Sequence, residues 1–368
     1  MPRVGIVGGG QLGRMLALAG APLDIRCTVL DPSPDACATQ VAPSILGAYD
    51  DPTALATLAG VSDVVTYEFE NVPVDALRSL EGTIRVAPHP DALETAQDRL
   101  AEKTLFERVG LPTAPFAHVD SLDELVTALE RIGAPAVLKT RRLGYDGKGQ
   151  VVVRDPVLAE DAWRSLGEVP SILEGVVDFD RELSIVAVRG GDGDTRVYPL
   201  ARNEHRGGIL RVTRAPAPGV LPATSEVAER LVRSVMADLG YVGVIAIELF
   251  QVGEGLLGNE LAPRVHNSAH WTIEGAETSQ FENHLRAVAG LPLGPIEALG
   301  HSAMVNLVGS TPDPASVAAI PGAHLHLYGK QPRPGRKLGH VTVRADDEAT
   351  LERGLLQVEG LVDDANHE

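Results

Sequence analysis

The chain has 368 residues, 44% of them hydrophobic and 22% charged, with a formal net charge of −18. That is globular composition at a length beyond one compact core, so two or three domains are expected. A surface so acidic repels nucleic acid and anionic membrane, and no apolar run approaches the roughly 20 residues of a membrane span, so both partners are excluded and any bound anion needs a local basic patch.

Residues 3–7 read as a short apolar strand. The turn Gly8-Gly9-Gly10-Gln11-Leu12-Gly13 follows, and residues 14–19 have helical character. The chain thus opens directly on a strand, without signal-peptide organisation. Residues 25–30 form a second strand ended by Asp31, and residues 61–67 a third, so strands alternate with helices as in a parallel βαβ sheet running to about residue 98. The two cysteines, Cys27 and Cys37, lack metal spacing and read as free thiols of a reducing cytoplasm.

Residues 91–109 read as one amphipathic helix, 122–131 as another, and 135–139 as a strand. The stretch LKTRRLGYDGKGQ leads to a returning strand at 150–153. A helix at 159–166 and a strand at 171–177 complete a small α/β unit. Strands at 181–189 and 195–201 flank the turn GGDGD, and a Pro-rich surface stretch at 215–222 precedes a helix at 227–239. Two strands, VGVIAIELF and LLGNELA, are joined by QVGEG. Beyond the Pro/Gly patch at 290–295, residues 324–328 read as a strand ahead of the basic turn 333–337, and the tail after Val343 shows no pattern.

Several of these segments carry chemistry. The Gly8-x-Gly10-x-x-Gly13 turn with Asp31 about twenty positions on matches the dinucleotide fingerprint. Its physical content is an anion pocket of backbone amides, open equally to NAD(P), to a substrate phosphate, or to a closely packed turn. With Glu254 as the centre of the QVGEG turn, Glu248 and Glu260 fall opposite each other on neighbouring strands. Two bare carboxylates there repel, and a divalent cation between them reverses the sign. Oxygen ligands, with Asn259 beside them, suit Mg²⁺; the alternatives are a glutamate facing solvent or a different register. Glu260, Arg264, His266 and Asn267 crowd into nine residues and read as a substrate wall, against a solvated loop. Arg333, Arg336 and Lys337 suit a phosphate, against a solvated basic turn. In the LKTRRLGYDGKGQ stretch, Lys139 ends a strand where a cation can hold phosphate. Gly144, Gly147 and Gly149 allow the loop to wrap an anion and to move, carrying Tyr145 and Asp146 onto a substrate. A plain glycine hairpin leaves the four cations of that stretch unexplained.

The order GGGQLGRM, LKTRRLGYDGKGQ, VGVIAIELF…NELAPRVHNSAHW and RPGRKLGH resembles the 5-(carboxyamino)imidazole ribonucleotide synthetases of the ATP-grasp superfamily, over essentially the whole chain. The resemblance implies an α/β protein, α+β in its nucleotide region. It implies a Rossmann-like parallel-sheet domain at 1–98, an ATP-grasp region at 99–290 with a mobile lid at about 117–180, and a C-terminal portion at 291–368. It implies ATP and Mg²⁺, or Mn²⁺ in its place, as cofactors. Bicarbonate and 5-aminoimidazole ribonucleotide are the implied substrates, and a cytoplasmic homodimer the implied assembly. By this resemblance Arg99, Lys139 and the loop Gly144, Tyr145, Asp146, Gly147, Lys148, Gly149 and Gln150 contact the nucleotide. Glu174 and Val177 line its adenine pocket, Glu182 takes the ribose hydroxyls, and His205 sits near the phosphates. Glu248 and Glu260, with Asn259, hold the metal. Gly10, Gln11, Tyr145, Asp146, Arg264, His266 and Asn267 face the ribonucleotide, with Arg336 and Lys337 on its phosphate and Asp146 taking the amine proton. Leu143 stands where several relatives carry a glycine. Three rivals remain: another ATP-grasp ligase, such as a formate-using glycinamide ribonucleotide transformylase, an NAD-dependent oxidoreductase, and a non-catalytic nucleotide sensor.

Overall fold

The computed structural model describes residues 1–142, 144 and 149–367. The expected loop residues Tyr145, Asp146, Gly147 and Lys148, and Leu143 before them, lie outside the described residues. The described residues form three sheets. The first is wholly parallel: β1 (Arg3–Val7), β2 (Arg26–Asp31), β3 (Ser44–Leu46), β4 (Val64–Tyr67) and β5 (Arg85–Val86), in the order β3-β2-β1-β4-β5. Its strands are short, nearly continuous apolar runs because helices cover both faces.

The second sheet is antiparallel, with β6 (Phe116–Val119), β7 (Ala136–Thr140), β8 (Gln150–Val153) and β9 (Ser171–Gly175) in the order β6-β9-β7-β8. It has its own small core, in which Trp163, Leu125 and Leu129 from two helices pack on Leu138 and Leu173.

The third sheet comprises β10 (Arg181–Arg189), β11 (Thr195–Val197), β12 (Ala201–Arg206), β13 (Ile209–Ala215), β14 (Gly243–Val252), β15 (Gly255–Ala262), β16 (His301–Val308), β17 (Ala323–Leu327) and β18 (Lys337–Ala345). Its order is β15-β14-β10-β12-β13-β16-β18-β17, with β11 paired to β10. The chain beyond residue 300 therefore continues the same sheet through the β13–β16 ladder, where Val212 faces Val305.

Three sequence expectations change. Residues 91–109 are two helices, Pro90–Gln97 and Arg99–Arg108, because Asp98 adopts extended dihedrals and caps the second one, accepting from the amides of Leu100 and Ala101. The strand expected at 195–201 stops at Val197, ahead of Pro199, and its continuation from Ala201 is a separate strand. The patternless tail is a helix, Glu348–His367, which buries Leu351, Leu355 and Val358 against β16 and β18. Their spacing is helical, so the signal was in the sequence. Both cysteines are buried and free, and burial alone pushes the Cys27 thiol up to about 12.

Candidate active site

The carboxyl ends of β1, β2 and β4 converge on the glycine turn, the usual ligand edge of an open parallel sheet. Here the turn is already filled from within. Gly10 N donates to Glu68 Oε1 at 2.5 Å and Gly13 N to Glu68 Oε2 at 2.6 Å. Gly9 N donates to Asp31 Oδ2 at 2.8 Å, and Asp31 also accepts from Ser33 N and the Tyr49 hydroxyl. A Cβ on Gly10 would collide with Glu68, which is why the turn needs glycine there. The amides a pyrophosphate would use are spent on Glu68, and the acid a ribose would use is spent on the backbone. The dinucleotide reading of the fingerprint therefore fails on geometry.

Beside this turn opens a cavity of about 670 Å³ between the three sheets. One wall comes from the β14–β15 ribbon. Glu248 stands opposite Glu260, as the sequence predicted, yet the register is reached differently. Val252 pairs with Gly255 and Leu249 with Gly258, so the turn is the two residues Gly253 and Glu254 rather than one centred on Glu254. A bulge then inserts Asn259, and this extra residue brings Glu260 across from Glu248. Glu248, Asn259 and Glu260 all line the cavity. Burial, and after it the charge of Glu260, pushes the Glu248 carboxyl up to about 7.

Cations face these acids. Arg99 Nη1 lies 3.6 Å from Glu260 Oε2. Lys139 on β7 donates to Glu174 Oε2 at 3.1 Å, and burial holds its ammonium below the usual lysine range despite that partner. Arg141 lines the cavity while donating to Asp98 Oδ2 at 2.7 Å. On β10 and β12, Glu182 accepts from His205 Nδ1 at 2.5 Å; burial alone would lower the His205 pKa, but Glu182 and the charge of Glu248 raise it.

The far wall follows β15. Arg264 pairs with Glu70, which enters from the end of β4 and so ties the first sheet to the third. His266 is largely enclosed, with 13% of its side chain exposed, and desolvation with the nearby Arg264 and Lys337 charges drives its pKa well below the usual value. Its Nδ1 lies 2.8 Å from Ser268 Oγ and 3.3 Å from Ser268 N, and its Nε2 lies 3.7 Å from Glu248 Oε1. Asn267 and Asn306 exchange amide hydrogen bonds at 3.0 and 2.7 Å. Lys337, at the start of β18, and Lys330, bonded to the Gln11 side chain, close the C-terminal side.

Of the residues expected from sequence, Gly10, Gln11, Arg99, Lys139, Gly144, Gln150, Glu182, His205, Glu248, Asn259, Glu260, Arg264, His266, Asn267 and Lys337 line this one cavity. Glu174 lies behind the wall, 4% exposed, with Lys139 and Lys103 on its carboxylate. Gly149, Val177 and Arg336 are outside the lining, and Arg336 donates to the Gln331 carbonyl.

Comparison with known proteins agrees with this geometry. The ATP-grasp domain model matches residues 104–281, the ribonucleotide synthetase preATP-grasp domain model residues 1–97, and the phosphoribosylaminoimidazole carboxylase C-terminal domain model residues 302–354. The N5-carboxyaminoimidazole ribonucleotide synthase of Pseudomonas aeruginosa is 52% identical over 98% of this chain and 99% of its own. The crystal structure of the Thermus thermophilus synthetase superposes with a TM-score of 0.94 at 56% identity, covering 97% of this chain and 98% of that one. The Aspergillus clavatus synthase solved with ADP and 5-aminoimidazole ribonucleotide superposes at 0.92, with 31% identity over 99% of both chains. The chain belongs to the N5-carboxyaminoimidazole ribonucleotide synthase family.

Membership in this synthase family implies a divalent cation, and the residues present fit one. Two opposed carboxylates, one pushed toward protonation by burial and then by the charge of the other, with an amide side chain beside them, form a cation-seeking pair. No group of three or more His, Cys, Asp or Glu able to hold a metal occurs among the described residues. That set suits Mg²⁺, which usually takes one or two carboxylates and completes its shell with water and substrate phosphate. The sequence reading missed Glu68, Glu70, Glu102, Arg141 and Lys330, which also border this cavity. Glu68 and Glu70 had a signal, since they follow β4 on the same sheet edge as the glycine turn.

Proposed function

We propose that this chain carries out ATP-driven carboxylation of the amine of 5-aminoimidazole ribonucleotide, with bicarbonate as the carbon source, in purine biosynthesis. The observation that carries the proposal is the single cavity joining the acidic β14–β15 ribbon to a cationic wall made by Arg264, Lys330 and Lys337. Its volume lies in the range of small-molecule sites.

In this reading the nucleotide base lies against the apolar residues Val137, Leu210 and Phe250, and the phosphates meet Arg99 and Lys139. Mg²⁺, held by Glu248 and Glu260 beside Asn259, supplies neutralisation of phosphate charge when bound. Bicarbonate oxygen attacks the γ-phosphorus, the bond to the β-phosphate oxygen breaks, and ADP and carboxyphosphate form. Arg99 and Lys139 offset charge on the transferring group. Carboxyphosphate releases CO₂ and phosphate, and the amine nitrogen attacks the CO₂ carbon and gives up a proton. His266, whose Nε2 lies 3.7 Å from Glu248 Oε1, is proposed to face the ribonucleotide. Asp146, outside the described residues, remains the sequence-based proposal for proton acceptor, with Tyr145 beside it. Lys337 and Lys330, with Arg336 nearby, are proposed to hold the ribonucleotide phosphate, and Gly10, Gln11, Arg264 and Asn267 its remaining contacts. The proposal includes a cytoplasmic homodimer; no helix among the described residues is long and apolar enough to cross a membrane.

ADP release at fixed bicarbonate tests the reading. Release is expected to rise on adding 5-aminoimidazole ribonucleotide. Turnover only with formate and glycinamide ribonucleotide would reassign the chain to the rival ATP-grasp ligase.

A further inference from the structure

β15 changes face at Asn259. Leu256 and Gly258 lie on its core side, with Gly258 against Phe106 and Leu111. An unbroken strand would put residue 260 on that side as well. The inserted Asn259 resets the alternation, so Leu261 takes the core position and Asn259 and Glu260 both line the cavity. Without the bulge, Asn259 would stand opposite Glu248 and Glu260 would point into the apolar core.

One helix pins this bulge. In Arg99–Arg108, residues Arg99, Glu102, Lys103 and Phe106 share a face at i, i+3, i+4 and i+7. Lys103 Nζ donates to the carbonyls of Gly258 at 3.2 Å and Asn259 at 2.8 Å. Glu102 Oε1 accepts from Leu261 N. Consecutive residues of one helix thus grip the carbonyls that enter the bulge and the amide that leaves it. Both residues are 1% exposed, so losing either bond would leave a buried polar group poorly satisfied. Gly258 N donates to Pro112 O at 2.7 Å, from the chain just beyond the helix. A return to regular pairing would carry the Leu261 amide about 3.3 Å along the strand and break the grip.

We propose that Glu102 and Lys103 are positioning residues that fix the register of β15 and so hold Glu260 across from Glu248 for a divalent cation. The proposal rests on the metal and nucleotide reading above. Calorimetric titration of the full chain with ADP, with and without MgCl₂, gives the gain in affinity that magnesium supplies. Glu102→Leu is expected to cut that gain roughly 10-fold or more, the size typical of groups supporting metal ligands, with ADP affinity in the absence of magnesium little changed. Glu102→Gln keeps an acceptor for Leu261 N and is expected to restore the gain. Lys103→Met should speed hydrogen exchange across residues 258–261 in the ligand-free protein, as should Glu102→Leu, whereas Glu102→Gln should not.

A full magnesium gain in Glu102→Leu, or unchanged exchange in Lys103→Met, would overturn the clamp. Should Glu102→Leu fail to fold, Glu102→Gln decides, because a gain lost in that variant also overturns it. A wild-type chain with no magnesium gain would overturn the metal reading and the proposal with it, which separates the two failures.

Discussion

Asp98 does two jobs with one carboxylate. It caps the Arg99–Arg108 helix and accepts from Arg141 at 2.7 Å, with Arg142 Nε 3.4 Å away. Burial works to raise its pKa, but the Arg141 hydrogen bond and charge and the two cap amides outweigh it and hold the carboxyl below its usual value. A group depressed in the folded state stabilises above its unfolded pKa of about 3.9 and loses that contribution as pH falls through the lower folded value. Asn caps as well as Asp but carries no charge, so Asp98→Asn should cost about 1–3 kcal/mol at pH 7. Urea unfolding of the two proteins should show the difference shrinking below about pH 4; a gap independent of pH would refute the ion-pair account. The sequence made the cationic side of this pair legible through the basic loop. The acidic side was hidden, because Asp98 sat inside what reads as one continuous helical periodicity.

The β14–β15 ribbon shows how a correct pairing can be inferred through an incorrect turn. A turn centred on Glu254 placed Glu248 against Glu260, but nothing in QVGEG announces that the turn is one residue shorter and that a bulge restores the match. The bulge depends on contacts with a helix more than 150 positions away in sequence, which periodicity cannot report. Gly258 is its tightest point. A Cβ there would lie 2.8 Å from Phe106 and 2.9 Å from Leu111. Gly258→Ala should therefore destabilise by about 1–3 kcal/mol and weaken magnesium-dependent ADP binding, since the strand must move off the helix that sets its register. A melting temperature and MgADP affinity equal to wild type would show that the helix yields instead. That Arg264, His266 and Asn267 fall together on the cavity was legible from composition alone, because polar density straight after a strand has few structural uses. Glu102 and Lys103 were not, since on a helix they look like an ordinary solvated charge pair.

The cavity belongs to no single segment of the chain. Glu70 and Arg264 join the first sheet to the third, and Lys330 reaches from the C-terminal strands to Gln11. The third sheet runs unbroken from β15 to β17, so the last strands share a ladder with β13 rather than leaning on it. A chain ending at Gly300 would expose the 7-residue edge of β13 and strip the apolar cover from Val212. It should be insoluble or lack cooperative unfolding, as measured by sedimentation and near-ultraviolet circular dichroism; a soluble, cooperatively melting fragment would contradict this. The parallel sheet and the acidic ribbon were readable from strand patterns, whereas β16 and β18 went unread; β18 pairs with the nearby β16 and β17, and only β16 reaches back to a distant strand, β13. The carboxylate of Glu68 seated in the glycine turn has a consequence at this scale. A dissolved pyrophosphate would have to evict an anion tethered to the same body, at an effective concentration on the order of millimolar or above, and would meet its charge on the way in. The protein thus keeps the backbone shape of a dinucleotide cradle with its own carboxylate seated in it, and leaves a stray cofactor no free amides to grip.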